Sequence, residues 1–247
     1  MRNLICLLII AASISSCKKD KDVTPQPKTF LVSRATTVSG SNTTVMRYNR
    51  SGDGRLLSYI GPAEVDSVAL TYDARGRIAT LRFTRFGQNG YDYAYDDQGR
   101  VTSAQGYNND GSKGTISTYT YYDDRIEELL LYTTNQTNKK IYTYTADKKN
   151  IANFKWIGTS GNLAEEESYT YTDIKSSRYG YEEIRPQTSE NAVEKTIRIT
   201  YTGGVAGAPV TFSRKITVNS DGYPASIENT SSNSVAVSTT TYEYIGR

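Results

Sequence analysis

The stretch YDYAYDDQGRVTSAQGY, Tyr91 to Tyr107, decides how the chain is read. Tyr91, Tyr93 and Tyr95 alternate with Asp92, Ala94 and Asp96. Period-two alternation puts the three rings on one face of a strand and the shorter groups on the other. Asp96-Asp97-Gln98-Gly99 then supplies a turn: an aspartate able to hydrogen-bond nearby backbone, two residues free to be right-handed, and a glycine suited to the left-handed position. This predicts a hairpin with a glycine bulge. After Arg100 and Val101 the next apolar residue is Ala104, three positions on rather than two, so a second bulge is expected early in the return strand.

The same unit recurs along the chain. Tyr48, Tyr72, Tyr95, Tyr121, Tyr144, Tyr171 and Tyr201 are separated by 24, 23, 26, 23, 27 and 30 residues, a repeat spacing. Turn chemistry recurs with them in NRSGDGRL from Asn49, DARGRI from Asp73 and NSDGYPASI from Asn219. So does the three-residue apolar step: Leu56 to Tyr59, Ile78 to Leu81, Ile126 to Leu129, Ile151 to Phe154 and Pro224 to Ile227. Around Tyr122-Asp123-Asp124-Arg125 the glycine is missing and a tighter two-residue turn is expected, while Asn150 takes the glycine's place after Asp147-Lys148-Lys149. Arg125 to Tyr132 has apolar residues at helical spacing but fills a return-strand slot, so it is read as strand. A period near 24 holds two strands and two turns, which predicts an all-β antiparallel meander of about sixteen strands built from repeated hairpins, curled into a soluble barrel or strongly bent sheet.

Composition excludes much chemistry. The 247 residues contain no histidine, and the only cysteines are Cys6 and Cys17. A domain beginning after them has neither disulfide nor thiol chemistry, and Ser-His-Asp, Cys-His and the commonest zinc sites are excluded. The net charge of +3 is small and no basic block stands out, so nucleic acid is not an expected partner. Carboxylate neighbours such as Glu127-Glu128 point to opposite faces of a strand, although Glu165 and Glu167 share one. Nothing marks any pair as catalytic, so no enzyme activity, metal or cofactor is expected. The oxygen-rich turns at Asn108 and Asn219 lack the continuation of a calcium loop and read as hairpin turns.

The N-terminus is MRNLICLLIIAASISSCKKDKD. Arg2 precedes an apolar run from Leu4 to Ala12 that is too short for a stable membrane span, and Ile14-Ser15-Ser16-Cys17 ends it. This resembles a bacterial lipoprotein signal peptide. The resemblance implies cleavage before Cys17, a diacylglycerol on its sulfur and an acyl chain such as palmitate on the new amino group. Residues 1–16 are then signal peptide, 17–28 a lipidated tether containing Pro25 and Pro27, and 29–247 a single β-repeat domain. Lys18 after the cysteine favours outer-membrane sorting by the same resemblance, with periplasmic face or cell surface left open.

YDARGRI from Tyr72 and YDDQGRV from Tyr95 resemble the YD repeat of the RHS type, whose long arrays enclose a toxin. This chain is short and has no recognisable cargo. Signal, tyrosine-rich hairpins and the late NSDGYP turn more closely resemble a family of Bacteroides-group lipoproteins of unknown function with a porin-like β fold. Strands such as STYTYYDD lack the aliphatic band of a membrane-spanning barrel, so no pore is expected. The 21 tyrosines read mainly as interior packing. Residues that break the pattern are the candidates for ligand contact: Trp156, with Phe154 on the same face. The expected role is non-catalytic binding of an extracytoplasmic glycan or protein by a membrane-anchored chain; the alternative is a structural or assembly accessory of an envelope complex.

Overall fold

The computed structural model describes residues 30–61, 67–83, 89–176 and 189–246. The expected signal peptide, Cys17 and the tether lie outside these residues. The strands are β1 (Phe30–Ser39), β2 (Asn42–Arg50), β3 (Leu56–Ile60), β4 (Ser67–Tyr72), β5 (Ile78–Phe83), β6 (Gly90–Tyr95), β7 (Val101–Tyr107), β8 (Lys113–Tyr121) and β9 (Arg125–Leu131). They continue as β10 (Thr137–Tyr144), β11 (Ile151–Ile157), β12 (Leu163–Lys175), β13 (Asn191–Thr202), the two-residue β14 (Val205–Ala206), β15 (Val210–Val218), β16 (Pro224–Ser231) and β17 (Ser234–Gly246). Each pairs antiparallel with the next, β13 pairs past β14 with β15, and β17 returns to pair with β1. The result is a closed meander of sixteen strands, with β14 a small addition to one hairpin. Closure leaves no long open edge on the ring. It also occurs in phase: Ala35 and Thr37 face the same side whether β1 is followed to β17, through Tyr242 and Thr240, or to β2, through Met46 and Thr44.

The repeat unit is a clasp between successive hairpins. At the central turn Asp96 N–H donates to the Arg100 carbonyl at 2.9 Å and Gly99 N–H donates to the Asp96 carbonyl at 3.0 Å, with Gly99 at φ 82°. Asp96 Oδ1 accepts from Arg100 N–H at 2.8 Å and Oδ2 from Arg100 Nε at 2.7 Å, so the aspartate fixes both turn and arginine. The tyrosine before the turn reaches back one hairpin. Tyr72 Oη donates to the Leu56 carbonyl at 2.6 Å, Tyr95 to Ile78 at 2.6 Å, Tyr121 to Val101 at 2.9 Å, Tyr171 to Ile151 at 2.6 Å and Tyr244 to Pro224 at 2.7 Å. The turn arginine reaches forward: Arg77 lies 4.3 Å from the Tyr95 ring centre and Arg100 4.5 Å from that of Tyr121, within cation–π range.

Beneath the rings lies the apolar residue that opens each return strand. Leu56, Val68, Leu70, Ile78 and Leu81 form one buried cluster under Tyr48, Tyr59, Tyr72 and Tyr93. Ile126, fully buried, forms another with Tyr142 and Ile151. The bulge expected after Val101 is present between Ala94 and Tyr95, because Tyr95 pairs with Val101 while Ala94 pairs with Ser103. The same slip occurs in β3, β5, β11 and β16, which turns Leu56 and Tyr59, or Ile151 and Phe154, to one face.

Three expectations are corrected. Ile126 and Leu129 do not share a face: Tyr122 N–H donates to the Arg125 carbonyl in a two-residue turn, Tyr121 pairs squarely with Ile126, and no bulge follows. Strict alternation therefore sends Glu128 inward and leaves Leu129 exposed. The left-handed residue of the Asp147 turn is Lys148, at φ 59°, while Asn150 is buried and accepts from Asn191 N–H at 2.9 Å. Tyr48 and Tyr201 do not hold the clasp position. Arg50 stands opposite Leu56 where the repeat elsewhere has tyrosine, and Tyr201 faces outward, donating to Glu166 at 3.3 Å.

Each clasp hydroxyl supplies one net hydrogen bond to an otherwise competent strand. Tyr121→Phe should lower stability by about 1 kcal/mol, a drop of about 2–4 °C in Tm for a chain of this size. Tyr122→Phe, at the exposed neighbouring ring, should leave Tm unchanged in the same thermal melt.

Candidate functional site

The inward face between β9 and β15 is where the tyrosine pattern gives way to charge. Register places Glu128, Lys140, Trp156, Glu165 and Thr200 side by side across β9, β10, β11, β12 and β13. A second row, nearer the Asp-Gly turns, runs Ile126, Tyr142, Phe154, Glu167 and Arg198. Trp156 and Phe154 therefore share the inward face, as the sequence predicts, but they have different surroundings. Phe154 belongs to the core: its ring packs 5.2 Å from that of Tyr142 over Ile126 and Ile151. Trp156 sits in the charged row, half-buried, and its indole Nε1 is buried without a hydrogen-bond partner among the described residues.

The carboxylates of these rows are held by tyrosines and cations. Glu128, only 5% exposed, accepts from Tyr142 Oη at 3.0 Å and Tyr119 Oη at 3.2 Å, with Lys140 Nζ at 3.7 Å. Glu167 accepts from Tyr169 Oη and from Arg198 at 2.5 Å, and Glu165 lies 3.6 Å from the same guanidinium. A charge taken out of water needs this degree of pairing. Burial, and next the hydrogen bond to Glu167, push the Tyr169 hydroxyl well above the ordinary tyrosine range. Asn138, 6% exposed, donates through Nδ2 to Tyr132 Oη at 2.9 Å, while its Oδ1 is buried without a partner among the described residues. Asn138, Lys140 and Arg198 carry no signal in the linear sequence, because their neighbours are set by register across three hairpins.

The site lies toward one end of the barrel. The start of β1 pairs with the end of β17 at the end that carries the Asp-Gly turns. Trp156 near the end of β11, Asn138 near the start of β10 and Glu165 near the start of β12 lie toward the opposite mouth. No group of acidic residues that could hold a metal occurs among the described residues. The turns at Asn108 and Asn219 are hairpin turns closed by Asn108 N–H to Ser112 and Asn219 N–H to Tyr223.

Among solved structures the chain is similar to a porin-like protein from Bacteroides vulgatus, with a TM-score of 0.61 at 11% identity over 88% of this chain and 99% of that one. The fold is a porin-like barrel. A porin-like protein from Bacteroides uniformis also aligns, with a TM-score of 0.44 at 13% identity over 87% of this chain and 96% of that one. No family model matches, and no curated protein does. The likeness bears on the fold; the outward face of this porin-like barrel is the chain's own. Arg82, Asp92, Glu127, Lys139, Lys155, Glu166 and Lys195 stand on it within strands, opposite in phase to the tyrosines.

The raised Tyr169 hydroxyl fixes the direction of one pH effect. The folded state holds this proton where the unfolded chain releases it, near pH 10. The associated stability is full below that pH and lost as pH rises above it. Chemical denaturation from pH 9 to 11.5 should show stability falling above about pH 10, with a shallower fall in Tyr169→Phe; identical slopes would contradict the assignment.

Proposed function

We propose that the protein is a non-catalytic lipoprotein of the outer membrane, tethered through Cys17 and binding an extracytoplasmic ligand inside the mouth of its barrel that lies away from the tether. The observation that carries the binding reading is Trp156. It is the one tryptophan of the chain, it stands in an inward row of charged residues where the tyrosine lining gives way, and its indole N–H is buried with no hydrogen-bond partner among the described residues. An unmade buried hydrogen bond costs about 1–3 kcal/mol, so such a group is better explained by a partner it meets than by packing.

The tethered reading is supported by strand length and by the outward charges. β3 has 5 residues, β6 has 6 and β7 and β9 have 7 each, whereas a strand crossing a bilayer needs about 9–11. Charged side chains on a lipid-facing surface are destabilising by about 2–4 kcal/mol each at the midplane. A barrel held beside the membrane by a lipid on Cys17 meets neither problem. The second reading, an accessory of an envelope complex, is favoured if crosslinking of whole envelopes yields one stoichiometric protein partner and no glycan is bound.

Fractionation of the bacterial envelope tests the placement. Wild-type protein should sediment with membranes and partition into detergent, while Cys17→Ser should appear in the soluble fraction with its barrel folded. A folded Cys17→Ser protein that still resists extraction from the membrane would establish an embedded barrel instead.

A further inference from the structure

Two unmade hydrogen bonds lie next to each other on the inward face. Trp156 Nε1 is a donor and Asn138 Oδ1 an acceptor, both buried, and neither has a partner among the described residues. Lys140 pairs directly across from Trp156, and Asn138 lies two residues before Lys140 on the same face. The two are thus diagonal cross-strand neighbours, about 7–8 Å apart at the backbone. Lys140 is the group that can move. Its Nζ is only loosely held, 3.7 Å from Glu128, and its side chain is flexible and a quarter exposed.

The charge of the lining narrows what could enter. On the inward face of β9 to β15 the described charged residues are Glu128, Glu165 and Glu167 against Lys140, Arg198 and Arg214. Glu128 faces Lys140, and Glu165 and Glu167 share Arg198. Acid and base are balanced, so neither a strongly anionic nor a cationic ligand gains a spare counter-charge. What is in surplus is one donor, one acceptor and the face of an indole.

We infer that this mouth seats a neutral saccharide unit that displaces the Lys140 side chain, stacks on Trp156 and is oriented by hydroxyls that accept from the indole N–H and donate to the Asn138 amide oxygen, both of which are covered until Lys140 moves. A sugar ring offers an apolar face for the indole and hydroxyls that both accept and donate, the two kinds of partner that these groups lack. Asn138 is the orienting residue and Trp156 the platform. The inference rests on the ligand-binding reading above and gives it a site and a chemical class.

Because Trp156 is the one tryptophan, its indole ¹H–¹⁵N resonance and its fluorescence report this site without ambiguity. The protein, residues 17–247, is titrated with neutral oligosaccharides of glucose, mannose and xylose and with polygalacturonate, and followed by NMR and calorimetry. At least one neutral oligosaccharide should shift the indole resonance. Both Asn138→Leu and Trp156→Phe should weaken that binding at least tenfold while keeping the wild-type pattern of backbone resonances. Calorimetric binding of a neutral glycan with the indole unmoved overturns the site but leaves the protein a glycan binder. Salt-sensitive preference for polygalacturonate overturns the neutral class. No heat and no indole shift with any sugar overturns both this inference and glycan binding itself, and leaves the two unmade bonds to a structural water.

Discussion

The hydrogen bond from a strand-end tyrosine to a carbonyl of the preceding hairpin is the interaction on which the rest of the barrel depends. The buried apolar clusters are local, each drawn from strands adjacent in the ring: β3, β4 and β5 for one, β9, β10 and β11 for the other. Each stretch of wall must cover its own apolar residues. A tyrosine does this because its ring is long enough to lie over Ile78 or Val101 and its hydroxyl reaches a backbone acceptor at the far side. The turn arginine covers the outer side of the next ring, and the turn aspartate holds that arginine. Each hairpin therefore fixes its successor, as in linear repeat proteins, except that here the last strand meets the first.

Most of this device is legible in Asp-x-x-Gly-Arg followed by an aliphatic residue. Asp96 and Gly99 declare the turn, and the step from Val101 to Ala104 declares the bulge, because both are local. Where the turn changes length, the same reasoning fails for an identifiable reason. Without glycine at Asp123-Asp124 the bulge disappears, alternation is restored, and Glu128 rather than Leu129 goes inward. In the turn after Tyr144 the left-handed residue is still the fourth after the tyrosine, Lys148, as Gly99 is after Tyr95, and the extra residue follows it, so Asn150 is left to close the turn. Tyr244 is absent from the spacing argument because it lies on β17 and precedes no hairpin turn; its partner Pro224, which opens β16, becomes evident only once the register of β16 and β17 is known.

The candidate site was half legible. Alternation alone places Trp156 and Phe154 on one face, and Glu165 with Glu167 on one face. It cannot bring Lys140 opposite Trp156 or Arg198 opposite Glu167, since those pairings accumulate the lengths of several turns. The same accumulation explains why the charged patch is confined to one arc of the barrel. From β3 to β7 the clasp repeats with little variation and the lining is aliphatic under tyrosine; from β9 to β13 the turns vary, the signature thins, and polar residues take inward positions. Regularity builds the wall, and its local loss makes room for chemistry.

Closure is the central claim, and it predicts that residues 203 positions apart touch: Thr37 and Thr240, whose hydroxyl oxygens lie 2.8 Å apart. Beyond Cys17 the chain has no cysteine to interfere. In a Thr37→Cys, Thr240→Cys variant, mild oxidation of the folded protein should give a quantitative intramolecular disulfide, seen by mass spectrometry, with the barrel's Tm unchanged or raised. Free thiols that persist in the folded protein, or disulfides formed only between molecules, would show an open sheet and contradict the ring.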